Sequence, residues 1–288
     1  MTTQTIFRDS KTGARVVTLG PGSTALHISG SWSDDLVSLY RKYKCNRLWI
    51  QSGDGDLSLE RALATKISND LQLLGRFSNI KIVQDAAFLK GLNVQLVNKI
   101  TIDLSRLNLH ELSISTKILG QNALPVSLRS LSLTEYNQSD IRWLGQLIKL
   151  KQLHLGPARN LESLDGVDNF ANLEKLAIWH APHLTSIQAL VRCKDLVDLR
   201  FNGCKSINDI QALDALKSLK RLHLNNCGDI ESLLPLSKLN RLAEILFVED
   251  TNIRDGAIKQ LVGLPSIKRI WFQNRRHYDI TREVIGLA

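Results

Sequence analysis

The chain has 288 residues, 43% of them hydrophobic, and a formal net charge of +9 at pH 7. That is enough apolar material for a continuous core, which excludes a disordered, purely solvated chain. No stretch approaches 18 apolar residues, which excludes a membrane-spanning helix, and the first twenty residues lack a basic start followed by an apolar run, which excludes an ordinary secretory signal.

Both absences predict a cytoplasmic protein. In chain order, TGARVVTL and STALHISG read as short strands joined by the turn signal GPGS. Residues 1–50 are therefore expected to be N-terminal capping strands, because the end of a stacked array has to be covered. RLWIQSGDGD reads as a strand and then a loop, and helical spacing from Leu57 to Phe77 predicts a long helix. SNIKIV and NKITID predict two strands, with Ile80 and Ile100 twenty residues apart. Between Ile100 and Leu128 two registers compete, Leu104, Leu107 and Leu109 against Leu109, Leu112 and Ile114. Residues 51–127 thus read as degenerate repeats.

Beyond this point the pattern is regular. Leu128, Leu150, Leu173, Leu196, Leu219 and Leu242 follow at intervals of 22, 23, 23, 23 and 23 residues. The copies read LRSLSL, LKQLHL, LEKLAI, LVDLRF, LKRLHL and LAEILF, and a seventh, IKRIWF, starts at Ile267 after 25 residues. Within each copy the alternation of apolar and variable positions is that of a half-buried strand. Apolar residues then recur every three positions, as at Ile207, Ile210, Leu213 and Leu216, which suits a 3₁₀ turn packed behind the strand. One unit cannot bury its apolar face alone, so neighbours must stack. Regular repeats are expected over 128–275. RHYDITREVIGLA closes the chain as a partly helical C-terminal cap over 276–288, and the whole reads as one continuous structural domain.

This repeat resembles the leucine-rich-repeat family, in the class of about 22 residues shared by internalins and a protein phosphatase 1 regulatory subunit. The resemblance implies an α/β solenoid, a curved horseshoe with a parallel β-sheet on its concave face and short helices or 3₁₀ turns on its convex face. The family's ladder asparagine is replaced here by Tyr136, Ala158, Ala181, Cys204, Cys227 and Asp250. The unit ALPVSLRSLSL resembles the LPxxL form of bacterial repeats and points to a bacterial source.

The variable positions of each strand face away from the core and form three rows. The first reads Ser130, Gln152, Lys175, Asp198, Arg221, Glu244, Arg269; its alternating charges predict a solvated ladder of lateral ion pairs. The second reads Ser132, His154, Ala177, Arg200, His223, Leu246, Trp271, and the third Thr134, Gly156, Trp179, Asn202, Asn225, Val248, Gln273. Tryptophan and arginine are the residue types that dominate binding hot spots. Leu246 and Val248 are expected to form an exposed apolar end beside Trp271. The candidate partner-binding residues are therefore His154, Lys175, Trp179, Arg200, Arg221, His223, Leu246, Val248, Arg269 and Trp271. Four cations against two carboxylates leave the rows near neutral, a poor match for a nucleic-acid backbone. A flanking row, Arg129, Lys151, Glu174, Lys220 and Lys268, is the more basic edge and suits steering of an acidic protein.

Nothing in the sequence points to an enzyme. The GDGD segment lacks the following Lys-Ser or Lys-Thr of a phosphate loop, and no nucleophile elbow is present. His154 and His223 lie three strands apart, roughly 14 Å. No cofactor is implied, and His180 and His183 flank a proline without metal-ligand spacing. Cys204 and Cys227 occupy one position in adjacent repeats, within reach of a disulfide, but are read as buried thiols. IWFQNRR, residues 270–276, matches the recognition-helix signature of homeodomains, yet Ile270 and Phe272 fall on inward strand positions, so a strand is expected. The resulting expectation is a non-enzymatic bacterial protein that binds an acidic protein partner, for example a toxin that it neutralises as an immunity protein. The alternatives are a secreted effector acting on a host protein and, lower, a nucleic-acid-binding solenoid.

Overall fold

The computed structural model of the protein describes residues 4–29, 31–51, 55–96, 100–120 and 123–285, with the side chains of residues 55–57 outside the description. Its contacts divide it into two compact units, Met1–Leu128 and Arg129–Ala288.

The first unit runs β1 (Gln4–Arg8), β2 (Arg15–Gly20), β3 (Ser23–Ile28), α1 (Asp35–Lys42), β4 (Arg47–Gln51), α2 (Gly55–Thr65), β5 (Asp70–Gly75), β6 (Gly91–Leu96) and β7 (Glu111–Ser115). Strands β1, β2 and β3 are antiparallel, and β3 to β7 pair in parallel. The β2–β3 hairpin turns through Gly22 at φ 73°, a conformation open to glycine at no steric cost. Helix α1 buries Leu36 and Tyr40, one turn apart, and carries Asp35 in its first turn and Arg41 and Lys42 in its last, as the helix dipole favours.

Three expectations for this unit are corrected. The helix expected from Leu57 to Phe77 ends at Thr65, where Lys66 takes φ 48° and leaves helical geometry. The second half, DLQLLG, is strand β5, with Leu71 and Leu73 buried in alternation. SNIKIV is not a strand: Ile80–Asp85 is a 3₁₀ turn burying Ile80 and Val83, so period three wins over period two. NKITID forms no strand among its described residues; Ile102 makes one isolated bridge to Leu119, and residues 97–99 lie outside the description. The strands of that stretch are β6 and β7 instead. Between the competing registers the structure selects Leu109, Leu112 and Ile114, with Leu104 and Leu107 buried in the turn before β7.

The second unit runs β8 (Ser130–Thr134), β9 (Gln152–Leu155), β10 (Lys175–Trp179), β11 (Asp198–Asn202), β12 (Arg221–Asn225), β13 (Asp229–Ile230), β14 (Glu244–Phe247), β15 (Asn252–Ile253), β16 (Arg269–Phe272) and α3 (Arg282–Ile285). Strands β8, β9, β10, β11, β12, β14 and β16 pair in parallel in that order, while β13 and β15 form a separate two-strand pairing. Leu131, Leu153, Leu176, Leu199, Leu222 and Ile245 stack as one register column, each at most 2% exposed. Each such side chain contributes about 1.5–3 kcal/mol through burial. Behind the strands, 3₁₀ turns such as Gln188–Arg192 and Gln211–Ala215 seal the core. The far end is closed by aromatics: Phe247 and Phe272 stack at 5.0 Å, and Tyr278 packs edge-on against both.

Tyr136, Ala158, Ala181, Cys204 and Cys227 are all buried at the ladder position, but Asp250 is exposed. Thr251 takes its place one residue later, accepting from the Cys227 N–H at 3.0 Å and donating to the Leu224 carbonyl. The IWF of IWFQNRR lies in strand β16, with Ile270 and Phe272 buried and Trp271 outward, and the QNRR that follows lies past the strand end. The helix of the C-terminal segment is the single turn α3.

Candidate functional site on the second sheet face

On β10, alternation sends Leu176 and Ile178 inward and Lys175, Ala177 and Trp179 outward. Ala177 stands in register between His154 on β9 and Arg200 on β11. Its methyl group is the low point between two long side chains. A depression of about 450 Å³ opens there, lined among others by His154, Lys175, Trp179, Asp198, Arg200 and Arg221. Trp179 remains 44% exposed, while its ring meets His154 edge-to-face at 4.9 Å. Burial pushes the His154 imidazole below its ordinary pKa, so the ring is neutral at pH 7. Its Nδ1 lies 3.4 Å from Ser132 Oγ.

Asp198 is the keystone of this site. Of the expected lateral pairs, Asp198–Arg221 and Glu244–Arg269 form, but the ladder is corrected at Asp198, which is buried instead of solvated and is also held by Arg200 of its own strand. Only 5% of its side chain is exposed. Arg200, two residues along the same strand, donates Nε to Oδ1 at 2.8 Å and Nη2 to Oδ2 at 2.9 Å. Arg221, on the adjacent strand, donates Nε to Oδ2 at 2.9 Å. Desolvation alone pushes the Asp198 carboxyl up, but the hydrogen bonds from Arg200 and Arg221 outweigh it and hold it below the usual carboxylate range. Glu244 meets His223 Nε2 at 2.6 Å and Arg269 at the limit of an ion pair, 4.0 Å. Among the described residues no carboxylate lies within ion-pair distance of Lys175. The Asp198 side chain thus splints two guanidinium groups in fixed positions, and Lys175 stays free beside the depression.

The candidates divide into two groups. His154, Lys175, Trp179, Arg200 and Arg221 line the depression, and His223 sits beside it against Glu244. Leu246, Val248, Arg269 and Trp271 gather at the far end of the sheet and do not line it. The exposed apolar end expected there is corrected. Leu246 and Val248 are half-buried, because Trp271 stands opposite Leu246 in register and Val248 lies past the strand end, its carbonyl accepting from the Asn226 N–H. Trp271 is 38% exposed and carries the Arg282 guanidinium at 4.2 Å over its ring, a cation–π contact from α3. Sequence reasoning missed Ala177 as a floor, Asp198 as a buried brace and Arg282 as a cover. The DLR triplet of β11, followed by Arg221 one repeat later, was the available signal for the brace.

Cys204 and Cys227 are free, buried thiols that donate to backbone carbonyls, with closest contacts of 3.7 Å and 3.2 Å. Burial pushes them up to about 11 and about 12, which leaves them unreactive as thiolates. Among the described residues no group of three or more His, Cys, Asp or Glu side chains gathers as a metal ion would require. No helix there is long and apolar enough to cross a membrane.

No protein-family model and no curated protein matches the sequence. Solved structures do match. An internalin of Listeria monocytogenes superposes with a TM-score of 0.53 at 17% identity, covering 92% of this chain and 85% of that one. A second Listeria monocytogenes internalin, C2, has 19% identity over 66% of this chain and 74% of its own, with a TM-score of 0.46. A leucine-rich-repeat protein of Leptospira interrogans has 16% identity and a TM-score of 0.45, covering 87% of this chain and 53% of that one. Taken with the repeat register, the first of these shows that the chain has the leucine-rich-repeat fold.

Proposed function

We propose that this chain is a non-enzymatic binding protein that holds a protein partner on the sheet face of its second unit, across His154, Lys175, Trp179, Arg200, Arg221, His223, Leu246, Val248, Arg269 and Trp271. The observation that carries the proposal is Trp179. A large ring 44% exposed above a depression, on a face whose inward neighbours are fully buried, has no folding reason to meet water. Lys175 without an ion-pair partner, and two arginines pre-positioned by Asp198, favour a partner with acidic groups at the contact. Buried, raised thiols and a histidine paired with Glu244 supply no nucleophile–base arrangement, which supports a binding role. Within this reading we favour a bacterial cytoplasmic protein that neutralises a toxin.

The test is capture from lysate of the source cells with wild-type protein and with the Trp179→Ala and Trp271→Ala variants, followed by calorimetry on whatever is retained. A partner held by wild type and lost from the variants supports the sheet face. Equal affinity for all three proteins would move the site elsewhere. Retention only from a host-cell lysate would replace the toxin reading with that of a secreted effector.

A further inference from the structure

The two ends of the strands in the second unit differ in how charge is compensated. At the start of the strands, backbone hydrogen bonds join Arg129, Lys151, Glu174, Val197, Lys220, Ala243 and Lys268 into one line. Six strand spacings make it roughly 29 Å long. The turns just before it add Lys149, Lys194, Lys217 and Arg241, all exposed. Two of these cations are neutralised, Lys151 by Glu174 and Lys217 by Asp214, each at 2.7 Å. Among the described residues, Arg129, Lys149, Lys194, Lys220, Arg241 and Lys268 have no carboxylate within ion-pair distance. Past the ends of the strands more of the charge is compensated: Arg142 pairs with Asp140, Lys205 with Asp250, and Arg254 with both Asp229 and Glu231, while among the described residues there Arg159 and Arg276 are exposed without a carboxylate in ion-pair distance. Uncompensated like charges repel and stabilise nothing in the fold.

We infer that the strand-start edge of the second unit is a docking surface for an acidic stretch of a protein, separate from the sheet face. Charge complementarity selects an anionic occupant. Two features select protein over nucleic acid. Glu174 and Asp195 interrupt the basic line with carboxylates, which a continuous phosphate backbone would have to pass. Ile148, 61% exposed beside Lys149, offers an apolar contact on the same edge, and none of these positions holds an aromatic ring on which a base stacks.

The experiment compares two triple variants of equal net charge in fluorescence anisotropy with labelled poly-L-glutamate. One is Lys149→Glu with Lys220→Glu and Lys268→Glu. The other carries Arg159→Glu, Lys259→Glu and Arg276→Glu, exposed cations away from this edge. The edge triple is expected to weaken binding by about tenfold or more and the control by less than about threefold, both effects shrinking as salt is raised. Equal losses would reduce the effect to overall charge and overturn the inference. Tighter binding of a duplex DNA of equal charge, abolished by the edge triple, would overturn it in favour of nucleic acid. The edge triple touches none of the sheet-face residues, and the sheet face is read by its own partner with Trp179→Ala and Trp271→Ala, so failure here is distinct from failure of the sheet-face proposal. Thermal melts of both triples confirm that each is folded.

Discussion

Each unit carries a histidine packed edge-on against a tryptophan of a neighbouring strand, and the two pairs end in opposite states. In the first unit His27 and Trp49 stand directly opposite in register, with ring centroids 6.1 Å apart. Arg15 adds a hydrogen-bond contact to His27 Nδ1 at 2.9 Å, and His27 is left 6% exposed. In the second unit the residue opposite His154 is Ala177, and the ring that meets the imidazole is Trp179, two positions farther along. The diagonal pairing leaves the alanine uncovered and the indole 44% exposed. An offset of two strand positions thus separates a closed contact from an open socket. Composition does not distinguish them; register does.

Four changes break or sharpen this comparison. The largest effect is on the stack that holds the register. Leu199→Ala, at a fully buried position, should lower unfolding free energy by about 2–5 kcal/mol. A loss below 1 kcal/mol in denaturant titration would mean the column is not the frame of the second unit. Next comes binding. Trp179→Ala should cost about 2 kcal/mol or more of partner affinity with little loss of stability, whereas Trp49→Ala should leave affinity unchanged. Equal losses in calorimetry would erase the distinction between the open and closed pairs.

Asp198→Ala removes the brace under Arg200 and Arg221. Because both guanidinium groups are about half exposed and can rehydrate, the expected cost is about 1–3 kcal/mol, below that of a fully buried pair. The depressed carboxyl also sets a sign. Its stability contribution is present above the unfolded pKa near 3.9 and is lost as pH falls through the lower folded value. Wild type should therefore lose stability in strong acid more steeply than Asp198→Ala, and parallel acid denaturation curves would sink the brace. The smallest effect belongs to His154. Its pKa is lowered on folding, so protonation opposes folding, and stability should decline as pH falls below about 6.5. His154→Gln should flatten that decline by less than about 1 kcal/mol. An unchanged slope of melting temperature between pH 7 and 5 would show that the imidazole is not shielded.

The regular half was legible because its spacing is redundant. Seven copies of one pattern place Leu131 to Ile245 in a column whatever any single residue prefers. The first unit lacked that redundancy. Over Leu57–Phe77 a helix and a strand share one apolar-rich stretch, and the backbone turn at Lys66 that separates them leaves no mark in the hydrophobic pattern. At Ile80 and Ile82 the sequence offers period two, but burial follows Ile80 and Val83, because the turn before a strand has to pack its own apolar residues behind the sheet.

The sequence by itself determined the repeat, the inward column, the outward rows and the extended state of Ile270, Trp271 and Phe272 in IWFQNRR, because strand alternation and a fixed period are properties of local spacing. The tertiary structure alone decided which outward residues are open. Asp198 reads as one more surface carboxylate until two arginines from positions two and twenty-three residues away converge on it. Trp271 reads as a free ring until Arg282 of α3 folds over it. Solvent exposure on a sheet face is set by what lies across the neighbouring strands, and that distance is measured in space and not along the chain.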